Sequence, residues 1–493
     1  MKIISSDNIS SYYLQSLCLL YFKGAKFSED EEITEDTPIV EAYLEEGDDF
    51  AIAKVTIKVG NHIESAEAVE KYKPTFSAIK AQKLAVGKAM FVAGEKFFGY
   101  APSWGILTGI RPSKISRQIY NQNGGDPVKT RKTLRDEYFL YPKKAALLTN
   151  IAVNEAGIIN NIPRDSCSLY ISIPFCPTRC AYCSFVSFST KRLLSMIPQY
   201  LLRLLKDLEV VFDCIKENGL RLTTIYIGGG TPTVLNAEQL ETLLSFLSKH
   251  VDLDSLEEFT LEAGRPDTID EEKIAISEEY GVTRMSINPQ TLNEAVLKGI
   301  GRAHTVQQFY DAFELASKSK IKHINTDLIV GLPGDSYRSF ARTMDTIVKL
   351  DPDNITVHSF CVKRAADLSH ALDIYANTGG DAQKAVDYSQ LRAKSNGYIP
   401  YYLYRQKNSV ANLENVGFAK PGSEGRYNIY IMEELQTIFA VGAGAVTKFV
   451  DLEHGRIKRV FMDKYPYEYL SSAEEEKFRT EFPQQVRNFY KDY

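Results

Sequence analysis

The sequence predicts an α/β protein built on a partial (βα)6 barrel, with an α+β domain before the barrel and an α+β region after it. Two observations carry that reading. Between about residues 166 and 370, runs rich in Ile, Val, Thr and Tyr alternate six times with amphipathic stretches of helical period. Six β-then-α units in series imply a parallel sheet with right-handed crossovers. The second observation is a cysteine triplet, Cys176, Cys180 and Cys183, directly after the first run. Barrel-type α/β proteins carry active-site loops at that end of their strands. The expected division is 1–165, 166–370 and 371–493, and a length of 493 residues suits about three domains.

In the first domain Phe50–Val59 alternates as a strand does, and Lys80–Phe98 reads as a Lys-rich amphipathic helix with Leu84, Met90 and Phe91 on its apolar side. Trp104–Lys114 is punctuated by glycine and reads as a packed turn ahead of a helix that follows Pro112. The barrel strands are expected at Leu169–Pro174, Thr224–Gly228, Glu258–Glu262, Arg284–Asn288, His323–Val330 and Asn354–Ser359. Between them, Tyr200–Ile215 places Leu201, Leu204, Leu208 and Val211 on one helical face. Asn236-Ala-Glu-Gln and Thr305-Val-Gln-Gln are capping-box patterns that begin two more helices. The third region is rich in Tyr, holds a Gly442-Ala-Gly-Ala445 turn and ends in a polar, helix-like tail.

Net charge is -5, which points to no polyanionic partner. The charge is uneven: residues 1–50 hold 12 acidic and 3 basic residues, whereas 71–144 hold 15 basic and 4 acidic. Two compensating solvated faces account for this, and a basic surface for a polycarboxylate or RNA is the alternative. With no recognisable RNA-binding motif, no nucleic-acid partner is expected. Seven cysteines, three within eight positions, suit a reducing compartment. The apolar run Tyr12–Phe22 is too short to span a bilayer and lacks the marks of a leader, so the expected location is the cytoplasm, with no membrane partner.

Cys176-Pro-Thr-Arg-Cys180-Ala-Tyr-Cys183 is a C-x3-C-x2-C triplet with an aromatic residue before its last cysteine. Three such thiolates can hold three irons of a [4Fe-4S] cluster, which normally takes four cysteines, and leave the fourth iron open. Structural zinc wants four closed ligands. The nearest histidine here is His250, and Cys167 lies before the loop at unsuitable spacing. Gly228-Gly-Gly-Thr-Pro232 follows the second strand; such a run serves a tight turn as well as a close ligand approach. Glu262, Gln290 and Asp327 fall at or near the ends of successive strands, where they can accept from hydroxyl or ammonium groups. His358 and Cys361 come at the last strand, where packing is the commoner role, and Lys363-Arg364 is an exposed pair or a clamp for substrate carboxylates.

The triplet with Tyr182 resembles the radical S-adenosylmethionine (SAM) enzymes. Together with Tyr170–Cys176, Gly228–Thr233 and Thr326–Pro333 it resembles the oxygen-independent coproporphyrinogen III dehydrogenase (HemN-like) group, and Trp104–Pro112 with Tyr402–Asn408 and Asn412–Gly417 resembles its HemZ branch. The resemblance implies a radical SAM barrel whose cofactors are a [4Fe-4S] cluster and SAM. It implies Cys176, Cys180 and Cys183 as cluster ligands, with Tyr170 and Tyr182 beside them. Gly229, Gly230 and Thr231 would meet the methionine part of SAM; Glu262, Gln290, Arg302 and Asp327 would be polar contacts, and Cys361 a backbone contact. Ser172 stands where better-studied members have His. The implied reaction is oxidative decarboxylation of coproporphyrinogen III propionates to vinyl groups, with Lys363, Arg364 and Arg405 as candidate substrate clamps and an electron donor such as flavodoxin or ferredoxin. Relatives with the same core include a haem chaperone, so haem binding or transfer, and radical chemistry on another substrate such as RNA, are the alternative readings.

Overall fold

A computed structural model describes the chain except residues 23, 29–32, 74–76, 184–185, 362–371, 408 and 492–493; for 372–379 it describes the backbone. The chain divides into two compact units, Met1–Val153 and Asn154–Tyr493.

The first unit holds a four-stranded sheet in the order β1 (Lys2–Ser5), β2 (Ile39–Glu46), β3 (Phe50–Val59), β4 (His62–Lys71). β1 runs parallel to β2, and the other pairs are antiparallel. Alternation in β3 buries Ala51, Ala53, Val55 and Ile57, and the helix Ala78–Phe98 packs on β3 and β4 through residues such as Leu84, Ala85 and Met90. A one-sided apolar pattern needs such a cover. The helix Pro112–Gln122 follows, with its proline in the first turn, where the missing N–H costs nothing.

The second unit is the α/β barrel part. Its strands are β5 (Ser166–Ile173), β6 (Arg221–Gly229), β7 (Glu258–Glu262), β8 (Arg284–Ser286), β9 (His323–Val330) and β10 (Asn354–Ser359). They lie side by side in chain order, all parallel. Helices such as Ile197–Glu217, Ala237–His250, Val306–Ser317 and Tyr337–Leu350 connect them. Both capping boxes form, at Asn236 with Gln239 and at Thr305 with Gln308. β5 is buried along nearly its whole length, as a parallel strand covered on both faces must be.

The third region extends the same sheet. β11 (Ile399–Arg405) and β12 (Glu414–Ala419) join antiparallel beyond β10, while β13 (Thr437–Val441) pairs parallel with β5 and is followed by antiparallel β14 (Val446–Asp451) and β15 (Arg456–Phe461). The result is an open eleven-stranded sheet with β11 and β15 at its edges, a partial (βα)6 barrel with added strands. Glu258 in β7 fixes the helix Arg426–Glu433 to it: its carboxylate accepts from the backbone N–H groups of Arg426 and Tyr427 at 2.9 and 3.2 Å and from Arg284 Nε at 3.1 Å. A carboxylate at a helix N-terminus satisfies orphan donors and opposes the helix dipole. Among the described residues no helix is long and apolar enough to cross a membrane.

Candidate active site

The cysteine loop leaves β5 through Pro174 and Phe175 and is pinned at two places, by Phe188 and by Ile300. Cys176 N–H donates to Phe188 O at 3.0 Å, Phe188 N–H to Pro174 O at 2.9 Å, and Ala181 N–H to Ile300 O at 3.0 Å. Each sulfur has a polar neighbour: Cys176 Sγ lies 3.4 Å from Thr231 Oγ1, Cys180 Sγ accepts from Arg265 Nη1 at 3.5 Å, and Cys183 Sγ lies 4.0 Å from Ser187 Oγ. Burial pushes the Cys176 thiol up, and the Thr231 hydroxyl acts against that shift.

The end of β6 is stitched to this loop. Gly230 N–H donates to Ile173 O and Thr231 N–H to Phe175 O, both at 2.8 Å. A Cβ at Gly230 would stand 2.5 Å from Phe175 O, and Gly229 has φ of +114°, so both positions need glycine.

Along the next strands, polar side chains face the same space. Glu262 ends β7 and accepts a hydrogen bond from the Tyr226 hydroxyl. Burial, with Asp327 adding to it, pushes the Glu262 carboxyl up to about 7. Gln290 sits beyond β8 with φ of +66°, locked to β9 by its N–H to Asp327 O (3.1 Å) and by Ile329 N–H to its own carbonyl (2.9 Å). A non-glycine residue held there is backbone strain that the neighbouring strand sustains. The buried Gln290 Oε1 has no hydrogen-bond partner among the described residues, so it can take a donor from a ligand. Arg302 donates to the carbonyls of Gly264 and Asn288 (3.0–3.2 Å) and to the Tyr182 hydroxyl (3.4 Å), tying three loops together beside the cysteines. Asp327 lies 3.6 Å from His358 Nε2, whose Nδ1 is 3.0 Å from the Tyr404 hydroxyl.

All these groups line one cavity of about 640 Å³. It brings together Cys176, Cys180 and Cys183 with Tyr170, Tyr182, Gly229, Gly230 and Thr231, and with Glu262, Gln290, Arg302, Asp327 and Cys361. Cys361 follows β10, its thiol donating to Lys407 O at 3.1 Å. Arg405 is not among these residues. Tyr402, Tyr404 and Gln406 line the cavity, so alternation along β11 sends Arg405 to the other face. It is buried there opposite Glu414 in the strand register, and burial lowers its guanidinium to about 10. Lys363 and Arg364 lie outside the described residues.

The cavity also holds side chains that sequence reasoning passed over. Tyr427, from the helix that Glu258 anchors, stacks on Tyr226 and Tyr170 with ring centroids 4.5 and 6.3 Å apart. Tyr402 and Tyr404 stack at 6.4 Å. Arg265, 3% exposed, reaches Cys180. A cation just past a strand end was a usable signal for Arg265; Tyr427 had none, because its partners Tyr226 and Tyr170 lie far away in sequence.

The chain's residues fit an iron–sulfur cluster with SAM: three thiols in one loop, a glycine cradle that a Cβ would fill, and an orphaned amide oxygen. Comparison with known proteins agrees. Residues 170–347 match the radical SAM superfamily. The oxygen-independent coproporphyrinogen-III oxidase-like protein HemZ of Bacillus subtilis is 39% identical over 375 residues, covering 75% of each chain. The heme chaperone HemW of Lactococcus lactis is 32% identical over 310 residues, 63% of this chain and 75% of that one. A solved structure of the Escherichia coli coproporphyrinogen III oxidase HemN, a radical SAM enzyme, aligns over 68% of this chain and 81% of its own, with a TM-score of 0.47 and 19% identity. The chain belongs to the radical SAM superfamily and, within it, to the family of oxygen-independent coproporphyrinogen-III oxidase-like proteins typified by HemZ, with a [4Fe-4S] cluster and SAM as its cofactors.

Proposed function

We propose that this chain is a radical SAM oxidoreductase that converts two propionate side chains of coproporphyrinogen III to vinyl groups, giving protoporphyrinogen IX. One observation carries the reading: a single cavity joins the cysteine loop to a wall of stacked tyrosines from β5, β6, β11 and the helix Arg426–Glu433. Flat aromatic faces suit a large cyclic substrate, and relatives similar in sequence have names from porphyrin and haem chemistry.

In this reading Cys176, Cys180 and Cys183 hold the cluster. Gly229 and Gly230 admit the methionine part of SAM, with Thr231 beside Cys176. Glu262 and Gln290 accept from its ribose hydroxyls, and Asp327, held by His358, lies next to them. Arg302 fixes Tyr182 against the loop. When bound, the cluster and SAM supply one-electron cleavage of the SAM carbon–sulfur bond and removal of one hydrogen atom from a propionate, which then loses CO2 and one electron to an external acceptor. The protein's part is to position the reactants and keep water and oxygen out. The reductant would be a one-electron donor such as flavodoxin or ferredoxin, in the cytoplasm.

The test is anaerobic incubation of cluster-reconstituted protein with SAM, a one-electron reductant, a separate one-electron acceptor and coproporphyrinogen III, quantifying 5′-deoxyadenosine and protoporphyrinogen together. Both products rise in step, and Cys180→Ala abolishes both. Deoxyadenosine without a porphyrin product would refute the substrate while keeping the radical chemistry. The 32% identity to a heme chaperone supports a second reading, haem capture and transfer; stoichiometric haem binding with neither product would put it first.

A further inference from the structure

We infer that Arg265 is a positioning residue that raises the reduction potential of the cluster and fixes the cysteine loop around it. The inference rests on the reading that Cys180 is a cluster ligand, and adds a residue and a property that reading does not require. Arg265 lies in the loop between β7 and the short turn Pro266–Thr268, and is 3% exposed. Its donors all have partners. Nε and Nη2 reach the two oxygens of Asp267 at 3.1 and 3.2 Å, Nη2 reaches Thr178 Oγ1 at 2.9 Å, and Nη1 reaches Thr178 O at 3.4 Å and Cys180 Sγ at 3.5 Å. The fork therefore grips Cys180 and the residue two before it in the same loop.

The three sulfurs are not treated alike. Cys176 and Cys183 lie beside the hydroxyls of Thr231 and Ser187, whereas Cys180 accepts directly from the Arg265 guanidinium. Arg302 also stands near Cys180, but its hydrogen bonds go to Gly264 O, Asn288 O and Tyr182. Hydrogen bonds to sulfur and local net charge set the potential of an iron–sulfur cluster. Reduction by one electron makes the cluster more negative. A buried guanidinium against one of its sulfurs favours that form, whereas Asp267, paired with the same guanidinium, opposes it. The two residues therefore pull the potential in opposite directions while sharing one structural role.

That opposition gives the test. Full-length wild type, Arg265→Met, Arg265→Lys and Asp267→Asn proteins are reconstituted with iron and sulfide, and the one-electron couple is titrated with dithionite while EPR follows the reduced cluster. In Arg265→Met the ratio of reduced to oxidised cluster at a fixed poise falls about tenfold, equivalent to a midpoint about 59 mV more negative. Arg265→Lys recovers part of the loss, and Asp267→Asn moves the midpoint the other way. Unmoved midpoints, or Arg265→Met and Asp267→Asn shifting in the same direction, would overturn the inference in favour of a purely structural arginine. If Arg265→Met does not fold, the sign of the Asp267→Asn shift decides. Wild-type protein that takes up no cluster would instead refute the functional reading itself.

Discussion

At Glu262 burial works against ionisation: the carboxyl is pushed from 4.5 to about 7, although the Tyr226 hydroxyl donates to it and His358 lies close by. Between those two pH values the folded chain keeps a proton that the unfolded chain has lost. Stability therefore falls as pH rises through the window, and above pH 7 the ionised, buried carboxylate costs roughly 3 kcal/mol relative to an unshifted group. Glu262→Gln removes the titration and keeps the shape. In urea unfolding of cofactor-free protein, wild type loses stability relative to Glu262→Gln on going from pH 5 to pH 8; equal pH profiles would show that the cavity leaves this carboxyl unperturbed. If Glu262 accepts from the ribose hydroxyls of SAM, as proposed, the ionised carboxylate is the better acceptor, and SAM binding is expected to tighten as pH rises through 7.

The junction of β5 and β6 shows what a single methyl group does to an element. With Phe175 N, C and O all within 2.9 Å of a Cβ at Gly230, Gly230→Ala has to push either the β6 turn or the start of the cysteine loop outward. The expected result is a loss of about 1–3 kcal/mol, the usual range for overpacking, and at least a halving of iron bound per chain after reconstitution. Normal iron content by colorimetric assay would mean that the loop yields without disturbing the thiols. These strands were legible because buried parallel strands are short β-branched runs between amphipathic helices: Glu258–Glu262, His323–Val330 and Asn354–Ser359 have their expected bounds, while β5 and β6 begin three residues early. The three cysteines were legible from their spacing, and Glu262 from its place at the end of β7, since the C-terminal ends of the strands in a parallel sheet all face one side; Asp327 lies inside β9 and Gln290 beyond β8. Arg405 was not legible. Its face depends on the phase of a two-residue alternation in β11, and the register of that strand shifts between Pro400 and Tyr402.

At the scale of the whole chain, what the sequence hides is long-range pairing: nothing local in residues 399–461 says that β11 and β12 join one end of the barrel sheet and β13 to β15 the other. The helix Pro142–Ile159 hides a second such fact, because the border between the two compact units falls within it, after Val153. Its last turn and the residues just beyond belong to the second unit: Ile158, Ile159 and Ile162 pack against a buried cluster of Tyr401, Tyr402, Ala419, Ile429, Tyr430 and Leu435. Tyr402 also lines the cavity, so this packing supports the site from behind. Changing the three isoleucines to alanine in the full-length chain removes apolar surface and leaves small voids, at a cost of about 4 kcal/mol in all, below the range for three fully buried truncations because these side chains are only partly buried. The chain offers its own way to see where that cost falls. Trp104 is the single tryptophan, buried and part of the first unit, so its fluorescence follows that unit, while the absorbance of the bound cluster follows the second. If the units unfold separately, the triple variant loses its cluster absorbance at lower urea than wild type while the Trp104 transition stays in place. A Trp104 transition that moves by the same amount would show the two units unfolding as one, with the helix across their border transmitting the damage.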